Sequence, residues 1–185
     1  VRAGVALVEG LQKILEETVK ALPIPKVMNY QLADGVTTVQ FVRPVRHLTA
    51  LYGKDVVPVK LFGLNADRIT SGHRFHTHGV IAIESADAYE ETLFTRGKVV
   101  ANYERRRAIL VDRLNKEAEK DGGTLIAPEA LIDETNSLTE WPVIYTSSFE
   151  EKYLAVPEEC LILTMQTNQK YFPMRDAAGR LMNRF

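Results

Sequence analysis

Helical signals recur in six segments of the chain. In residues 3–22 the apolar positions are 5, 7, 8, 11, 14, 15, 19 and 22, with Glu and Lys on the other face, which predicts an amphipathic helix. Pro23 ends this helix, because proline cannot continue a helix and pushes the preceding residue to an extended conformation. Apolar spacing, an opening proline or serine, or a closing glycine also predicts helices over 44–53, 86–97, 102–123, 128–141 and 157–169.

Short runs rich in β-branched residues lie between these helices and predict strands. The predicted strands are 36–44, 55–64, 68–75, 79–85, 98–102 and 142–149, and 170–185 is expected to form a hairpin with "DAAG" as its turn. Helices and strands interleave without a strict βαβ period, so the expected fold class is α+β, a mixed sheet flanked by helices. Residues 1–185 are expected to form a single compact domain or most of one, with a possible minor boundary near 122–127.

The composition is that of an ordinary globular protein, and it narrows the range of partners. The chain has 185 residues, 23 Lys+Arg against 24 Asp+Glu, and a formal charge of −1. Because nucleic-acid-binding domains are usually basic overall, any RNA contact has to come from a local patch, and DNA is not expected as a partner. No apolar run is long enough for a membrane span, no signal peptide is visible, and both ends look cut from a longer chain.

The single cysteine bears on location and on chemistry. Cys160 permits no internal disulfide, which agrees with a reducing cytoplasm. It lies in the apolar helical run "ECLILTM", so we expect a buried thiol and not a nucleophile. The chain also has no Gly-x-Ser-x-Gly elbow, Walker-type loop or Gly-x-Gly-x-x-Gly motif.

Three of the four histidines lie in the stretch "SGHRFHTHGV", at positions 73, 76 and 78. On a strand, His76 and His78 would share one face while His73 took the other, so a three-histidine metal site would need a loop that re-aims one of them. No cysteine lies nearby and no His-Glu-x-x-His pattern is present. We therefore expect no metal site here, and the simpler interpretation is a turn whose histidines are partly exposed or hydrogen-bonded to backbone.

Arginines provide the candidate anion-binding residues, because a guanidinium can bind phosphate oxygens in a bidentate manner. Arg43 and Arg46 flank Pro44, Arg74 follows His73, and residues 105–107 are all arginine. Successive helical residues point about 100° apart, so at most two of these three can share a contact surface. For any one arginine, the alternative is a solvated face with paired charges.

A further polar group lies where a predicted helix ends, in "TMQTNQKYFP". Gln166, Gln169 and Lys170 could receive RNA or a partner chain there. They could equally cap the helix and bond its last carbonyls. The residues alone do not decide between these roles.

Several blocks of the chain resemble the beta subunit of bacterial heterotetrameric glycyl-tRNA synthetase. The blocks are "FVRPVRHLTALYG" (41–53), "GHRF" (72–75), "GKVVANYERRR" (97–107), "LIDETNSLTEWP" (131–142), "EWPVIYTSSF" (140–149) and "VPEECLILTMQTNQKYFPM" (156–174). Their order and spacing fit the family over nearly the whole chain, which would be an internal piece from the N-terminal half of a longer subunit.

This resemblance implies a function in glycine–tRNA ligation. In the family, ATP activates glycine and the tRNA 3′ end then takes it. The alpha subunit uses ATP and Mg, and the beta subunit chiefly binds tRNA. The assembly is alpha-two beta-two and cytoplasmic. The segment is similar to the editing-type module of the phenylalanyl-tRNA synthetase beta subunit. No cofactor is expected in this segment.

The leading hypothesis is a tRNA-binding and architectural module that is not itself catalytic. Its candidate RNA- or subunit-contact residues are Arg43, Arg46, His73, Arg74, Arg105, Arg106, Gln166, Gln169 and Lys170. The alternatives are an editing-type hydrolase that uses His73, His76 or a nearby polar group on the aminoacyl ester of mischarged tRNA, and a metal-binding domain.

Overall fold

The chain divides into two units. The computed structural model describes residues 4–185, and the units are Val1–Gly97 and Lys98–Phe185. Residues 122–127, near which the sequence suggests a minor boundary, lie inside the second unit. The organisation of residues 1–185 as a single domain stays a prediction.

The first unit begins with the predicted amphipathic helix, α1 (Leu7–Ala21). It ends as predicted, because Leu22 before Pro23 is extended. The Gln12 side chain joins α1 to a later strand: its Nε2 donates to the Lys60 carbonyl at 2.8 Å, and its Oε1 accepts from the Lys60 N–H at 2.8 Å. No residue of α1 is buried, so this helix lies at the surface of its unit.

Four antiparallel hairpins follow α1. Their strands are β1 (Met28–Gln31) with β2 (Thr38–Phe41), β3 (Leu51–Tyr52) with β4 (Asp55–Val56), β5 (Lys60–Leu61) with β6 (Leu64–Asn65), and β7 (Ile69–Ser71) with β8 (Val80–Ala82). The unit closes with the short helix α2 (Tyr89–Thr92) and a π-helical turn, Leu93–Gly97. Its buried apolar residues include alternate positions of extended segments, Val57 with Val59 and Ile81 with Ile83, as the two-residue period requires.

The expected α+β class is confirmed, but the described residues form five separate two-stranded antiparallel sheets in place of one mixed sheet. Tight turns explain the difference. Gly53 and Gly63 adopt positive φ angles of 59° and 75°, so the chain reverses after two-residue strands. Parallel neighbours in a mixed sheet would need crossover connections of a dozen residues or more.

The helix predicted over 44–53 is wrong. This segment is irregular and ends in β3. Its polar groups are taken by a distant part of the chain: the Ala50 N–H donates to the Asp67 carbonyl at 3.3 Å, and Thr49 Oγ1 donates to the Ile69 carbonyl at 3.1 Å. These long-range bonds replace the helical ones.

Helices provide most of the second unit. Its elements are α3 (Tyr103–Lys120), β9 (Thr124–Leu125), α4 (Glu129–Leu138), a 3₁₀ turn (Glu151–Ala155), α5 (Glu158–Leu163), a π-helical turn (Thr164–Gln169) and β10 (Met174–Arg175). The start and stop signals act as predicted for α3: Asn102 Oδ1 accepts the Arg105 N–H at 3.0 Å, and Gly122 has a φ of 68°. A cluster of five buried side chains joins α3 and α4 to the chain before β10. Its members are Leu110, Leu114, Leu131, Ile132 and Phe172.

The C-terminal hairpin forms around the predicted turn. The Gly179 N–H donates to the Asp176 carbonyl at 2.9 Å, and Gly179 has a φ of 79°. β10 pairs with β9, while the returning chain reaches it through an isolated bridge between Arg175 and Leu181. The predicted strands at 98–102 and 142–149 do not form; the second segment makes only a bridge from Ser148 to Arg184.

Cys160 is exposed, so the prediction of a buried thiol is wrong. The helix that carries it, α5, has only six residues and none of them is buried. Leu163, one turn further along the same face, is 65% exposed. An apolar run therefore marks the helix here but not its burial.

We expect Leu110→Ala to lower the free energy of unfolding by about 2–5 kcal/mol, because it removes a nearly fully buried side chain from the core cluster and leaves a cavity. Urea denaturation followed by circular dichroism measures the loss. Leu138→Ala is the matched control, since Leu138 is 70% exposed on α4. Equal losses in the two variants would contradict this location of the core.

The Glu158–Arg175 pair predicts a pH dependence. The Arg175 guanidinium donates to both carboxylate oxygens, at 2.9 and 3.0 Å, and holds the pKa of Glu158 below its ordinary value of 4.5. A lowered carboxylate pKa stabilises the fold above the ordinary pKa, and this contribution is lost as the pH falls through the lowered pKa.

We therefore expect Glu158→Gln to be less stable than the parent chain near pH 7 and the difference to shrink on acidification. Urea midpoints between pH 7 and pH 3 measure it. Glu151→Gln, in the exposed 3₁₀ turn, removes one carboxylate outside this pair and is the control. A difference for Glu158→Gln that stays constant across the range would rule out the pair as its cause.

Candidate functional site

A polar cleft in the first unit brings together two of the sequence-predicted arginines. Arg46 and Arg74 line it with the hydroxyl residues Ser71 and Thr77, and its volume is about 430 Å³. Pro44, Gly72 and Gly79 complete its lining, so none of the described residues that line it is a carboxylate. Two arginines without an opposing acid favour an anion with several oxygen acceptors, such as a phosphate. We call this site the Arg46–Arg74 cleft.

The turn between β7 and β8, residues 72–79, positions Arg74 at the cleft. The His73 N–H donates to the Gly97 carbonyl at 2.7 Å, which fixes the start of the turn. The His73 carbonyl accepts from the Thr77 N–H at 3.0 Å and from Thr77 Oγ1 at 2.9 Å. Arg74, between these anchors, is exposed and lines the cleft.

The His73 ring is itself part of the turn. Its Nδ1 accepts the Phe75 N–H at 3.2 Å, so in this arrangement the ring carries its proton on Nε2. The ring also stacks on His76, with centroids 4.4 Å apart. The interpretation that this stretch is a turn whose histidines bond to backbone is thus confirmed for His73.

The extended geometry considered for the three histidines does not occur, because the strand ends at Ser71. In the described part of the chain, no group of three or more His, Cys, Asp or Glu side chains is arranged to hold a metal ion.

Gly72 is required by a close approach of two backbone segments. A Cβ at position 72 would lie 2.5 Å from the Gly97 carbonyl oxygen, 2.5 Å from Thr77 Oγ1 and 2.7 Å from the Gly97 Cα. Two of these neighbours are backbone atoms, which cannot move aside as a flexible side chain would. In the Gly-His-Arg-Phe block, Gly72 therefore has a packing role, while Arg74 supplies the positive charge.

The remaining sequence-predicted arginines differ in their surroundings. Arg43 is exposed, and its guanidinium lies 3.1 Å from the Met28 sulfur. Arg105 is exposed in the first turn of α3. Arg106 donates to the carbonyls of Val100 at 2.6 Å and Asn136 at 3.1 Å, so it joins the start of α3 to the end of α4.

Arg107 makes ion pairs with two acidic residues of α4. Its Nε lies 2.8 Å from Asp133 Oδ1, and its Nη2 contacts Glu129. The hydrogen bond that Arg107 donates to Asp133 is the main reason that the pKa of Arg107 is raised. The three successive arginines thus point in different directions, as helical geometry predicts.

The polar residues near the end of the last helix lie in the second unit. Gln166 Nε2 donates to the Ile126 carbonyl at 2.9 Å. Lys170 has a left-handed φ of 59°, ends the π-helical turn and pairs with Glu134 at 3.0 Å. Gln169 is exposed. The capping interpretation is supported for Lys170, and the RNA or subunit contacts proposed for these three residues stay a prediction.

Comparison with known proteins places the whole chain in one family. The family model described as "Glycyl-tRNA synthetase beta subunit" matches residues 1–185. The chain belongs to this family.

Members of the glycyl-tRNA synthetase beta subunit family are similar to this chain along nearly its entire sequence. The glycine–tRNA ligase beta subunits of Ralstonia nicotianae and Leptothrix cholodnii are each 52% identical to it, over 98% and 99% of the chain. That of Neisseria meningitidis serogroup A is 49% identical over 100% of the chain. The resemblance inferred from the sequence blocks is confirmed. The chain spans 26% of the length of each of these relatives.

None of the helices in residues 4–185 combines the length and apolar character needed to cross a membrane.

Sequence reasoning missed two residues of the cleft and an exposed aromatic residue next to Arg74 in the chain. Ser71 and Thr77 line the cleft, and Phe75, next to Arg74, is 80% exposed. Phe75 belongs to the Gly-His-Arg-Phe block by which the family is identified, so the block itself was the available signal. Nothing local shows that Ser71 and Thr77 meet Arg46, since the cleft forms only when the 72–79 turn folds back.

We expect Gly72→Ala to destabilise the chain by about 1–3 kcal/mol, because the added methyl group overlaps backbone atoms of Gly97. Thermal unfolding measures the change. Gly79→Ala is the comparison. A Cβ at position 79 would meet no atom within 4 Å, so any loss of stability in this variant reflects only the φ of 78°. A Gly72→Ala variant as stable as the parent chain would contradict the close approach.

Proposed function

We propose that this chain is part of the beta subunit of a glycine–tRNA ligase and that it helps to hold tRNA through the Arg46–Arg74 cleft. The whole enzyme would join glycine to tRNA at the expense of ATP, in an alpha-two beta-two assembly in the cytoplasm. Family membership supports the reaction, since the relatives are named glycine–tRNA ligase beta subunits.

One observation carries the tRNA-binding role: two arginines line one cleft that has no carboxylate among its described lining residues. Phosphate oxygens are the part of RNA that arginine recognises most readily, and such contacts supply most of the affinity for nucleic acid. Because Arg74 lies on a turn fixed by hydrogen bonds at His73, the backbone that carries this charge would be pre-positioned for a phosphate.

The same lining argues against binding of a Mg–ATP complex in this cleft. Mg²⁺ bound with a nucleotide usually takes one or two protein carboxylates in addition to the phosphate oxygens. None of the cleft's described lining residues is Asp or Glu. From the family resemblance, we further propose that ATP and Mg are bound by the alpha subunit and that this segment contributes no catalytic residue.

An editing-type hydrolase was the alternative considered from the sequence. It would need a general base within hydrogen-bonding reach of an aminoacyl ester. Neither His73 nor His76 lines the cleft, and the Nδ1 of His73 already accepts the Phe75 N–H. The geometry therefore favours binding over hydrolysis.

The decisive experiment replaces both cleft arginines in the complete enzyme. We expect Arg46→Ala with Arg74→Ala to raise KM for tRNA about tenfold or more, because two phosphate contacts are lost. Glycine activation, measured as tRNA-independent ATP–pyrophosphate exchange, is expected to stay unchanged. The slope of log Kd against log salt is expected to fall by about 1 for each arginine.

Lys54→Ala is the control, because it removes one exposed positive charge in the same unit from a residue that does not line the cleft. A double variant with unchanged KM and unchanged salt dependence would refute the proposed tRNA contact. Loss of deacylation of mischarged glycine tRNA, with aminoacylation intact, would instead establish the hydrolase alternative.

A further inference from the structure

Phe75 is an exposed aromatic ring with an unusual setting. Its side chain is 80% exposed, although it follows directly after Arg74. A single exposed apolar residue is common and needs no explanation. Here, however, the ring lies on the turn that also carries a cleft arginine, and the turn's backbone is fixed.

The fixed backbone makes the ring ready for binding. The Phe75 N–H is bonded to His73 Nδ1 at 3.2 Å, and the His73 N–H is bonded to the Gly97 carbonyl at 2.7 Å. A side chain with two rotatable bonds on such a turn loses little conformational entropy when a partner covers it. Proteins that bind single-stranded nucleic acid combine exposed aromatic rings, on which bases stack, with positively charged grooves that hold the backbone. Phe75 directly follows Arg74, which lines the cleft.

We infer that Phe75 stacks on an unpaired base of the tRNA whose neighbouring phosphate lies in the Arg46–Arg74 cleft. This inference rests on the proposed function and adds the class of nucleotide that the cleft recognises. In a base-paired RNA helix, neighbouring bases cover both faces of each base, and the edges alone are accessible. Stacking on Phe75 therefore selects a loop, bulge or end nucleotide over a helical one.

The ring and the cleft can serve one nucleotide because Phe75 and Arg74 are consecutive residues. The base, being flat and apolar on its faces, would cover the ring, while its phosphate would accept hydrogen bonds from the guanidinium groups. Stacking has little preference among the four bases, since each has a π face. The site would thus recognise an unpaired nucleotide by shape and leave base identity to other contacts.

The test uses the complete enzyme and tRNA in which uridines are replaced by 4-thiouridine. We expect Phe75→Ala to raise Kd for tRNA about tenfold, because stacking is lost. Phe75→Trp is expected to keep the Kd of the parent enzyme. Phe75→Leu is expected to behave as Phe75→Ala, because only an aromatic ring stacks. Near-ultraviolet irradiation is expected to join a single-stranded uridine of the tRNA to the peptide that contains residue 75. Tyr52→Ala, another aromatic residue in the same unit that is 70% exposed, is the control and is expected to leave Kd unchanged.

Three outcomes overturn the stacking role. They are an unchanged Kd for Phe75→Ala, full binding by Phe75→Leu, and dissociation of the enzyme's subunits by Phe75→Ala on size-exclusion chromatography, which would make Phe75 a subunit contact. If the cleft arginine variants weaken tRNA binding while Phe75→Ala does not, the proposed tRNA contact stands and the stacking fails. If neither weakens it, both fail.

Discussion

The close approach of Gly72 to Gly97 is the constraint on which the candidate site depends. A side chain at position 72 would overlap the Gly97 carbonyl, and that same carbonyl accepts the His73 N–H at 2.7 Å. Without this contact, the turn between β7 and β8 would have no fixed start. The positions of Arg74 and Phe75 follow from it, because they lie between this anchor and the Thr77 bonds that end the turn. The packing of two glycines thus determines where a charge and an aromatic ring are presented.

The structural arginines and the candidate binding arginines differ in their partners: the structural ones are bonded to carbonyl groups or carboxylates of the protein. Arg106 and Arg107 come from one run of three. Arg106 is held by the carbonyls of Val100, before α3, and Asn136, in α4. Arg107 is held by two acids of α4. Arg74 lines a cleft whose described lining has no acid. The sequence shows the same residue type in each case. Only the tertiary surroundings decide whether a guanidinium group stabilises the fold or remains able to bind a ligand.

The sequence predicts the features that local interactions determine. The ends of α1 and α3 and the turn before Gly179 follow from proline, Asn102 and glycine, which act on their own neighbours. The helix predicted over 44–53 is wrong because hydrogen bonds to residues far along the chain replace the helical ones. The cleft likewise depends on contacts between residues that are far apart in the sequence. Arg46 and Arg74 could each be proposed from residue type, but their meeting depends on a long-range backbone contact.

A chain with a formal charge of −1 can still contain a site for phosphate, because screening in salt makes electrostatics local. At physiological ionic strength the Debye length is about 8 Å, so exposed acids beyond that distance have little effect on an anion in the cleft. In the second unit, Glu158 and Glu134 are paired with Arg175 and Lys170. What matters for recognition is therefore the sign of the nearest charges, and in the Arg46–Arg74 cleft these are two guanidinium groups. For this reason net charge alone is a poor guide to whether such a domain binds RNA.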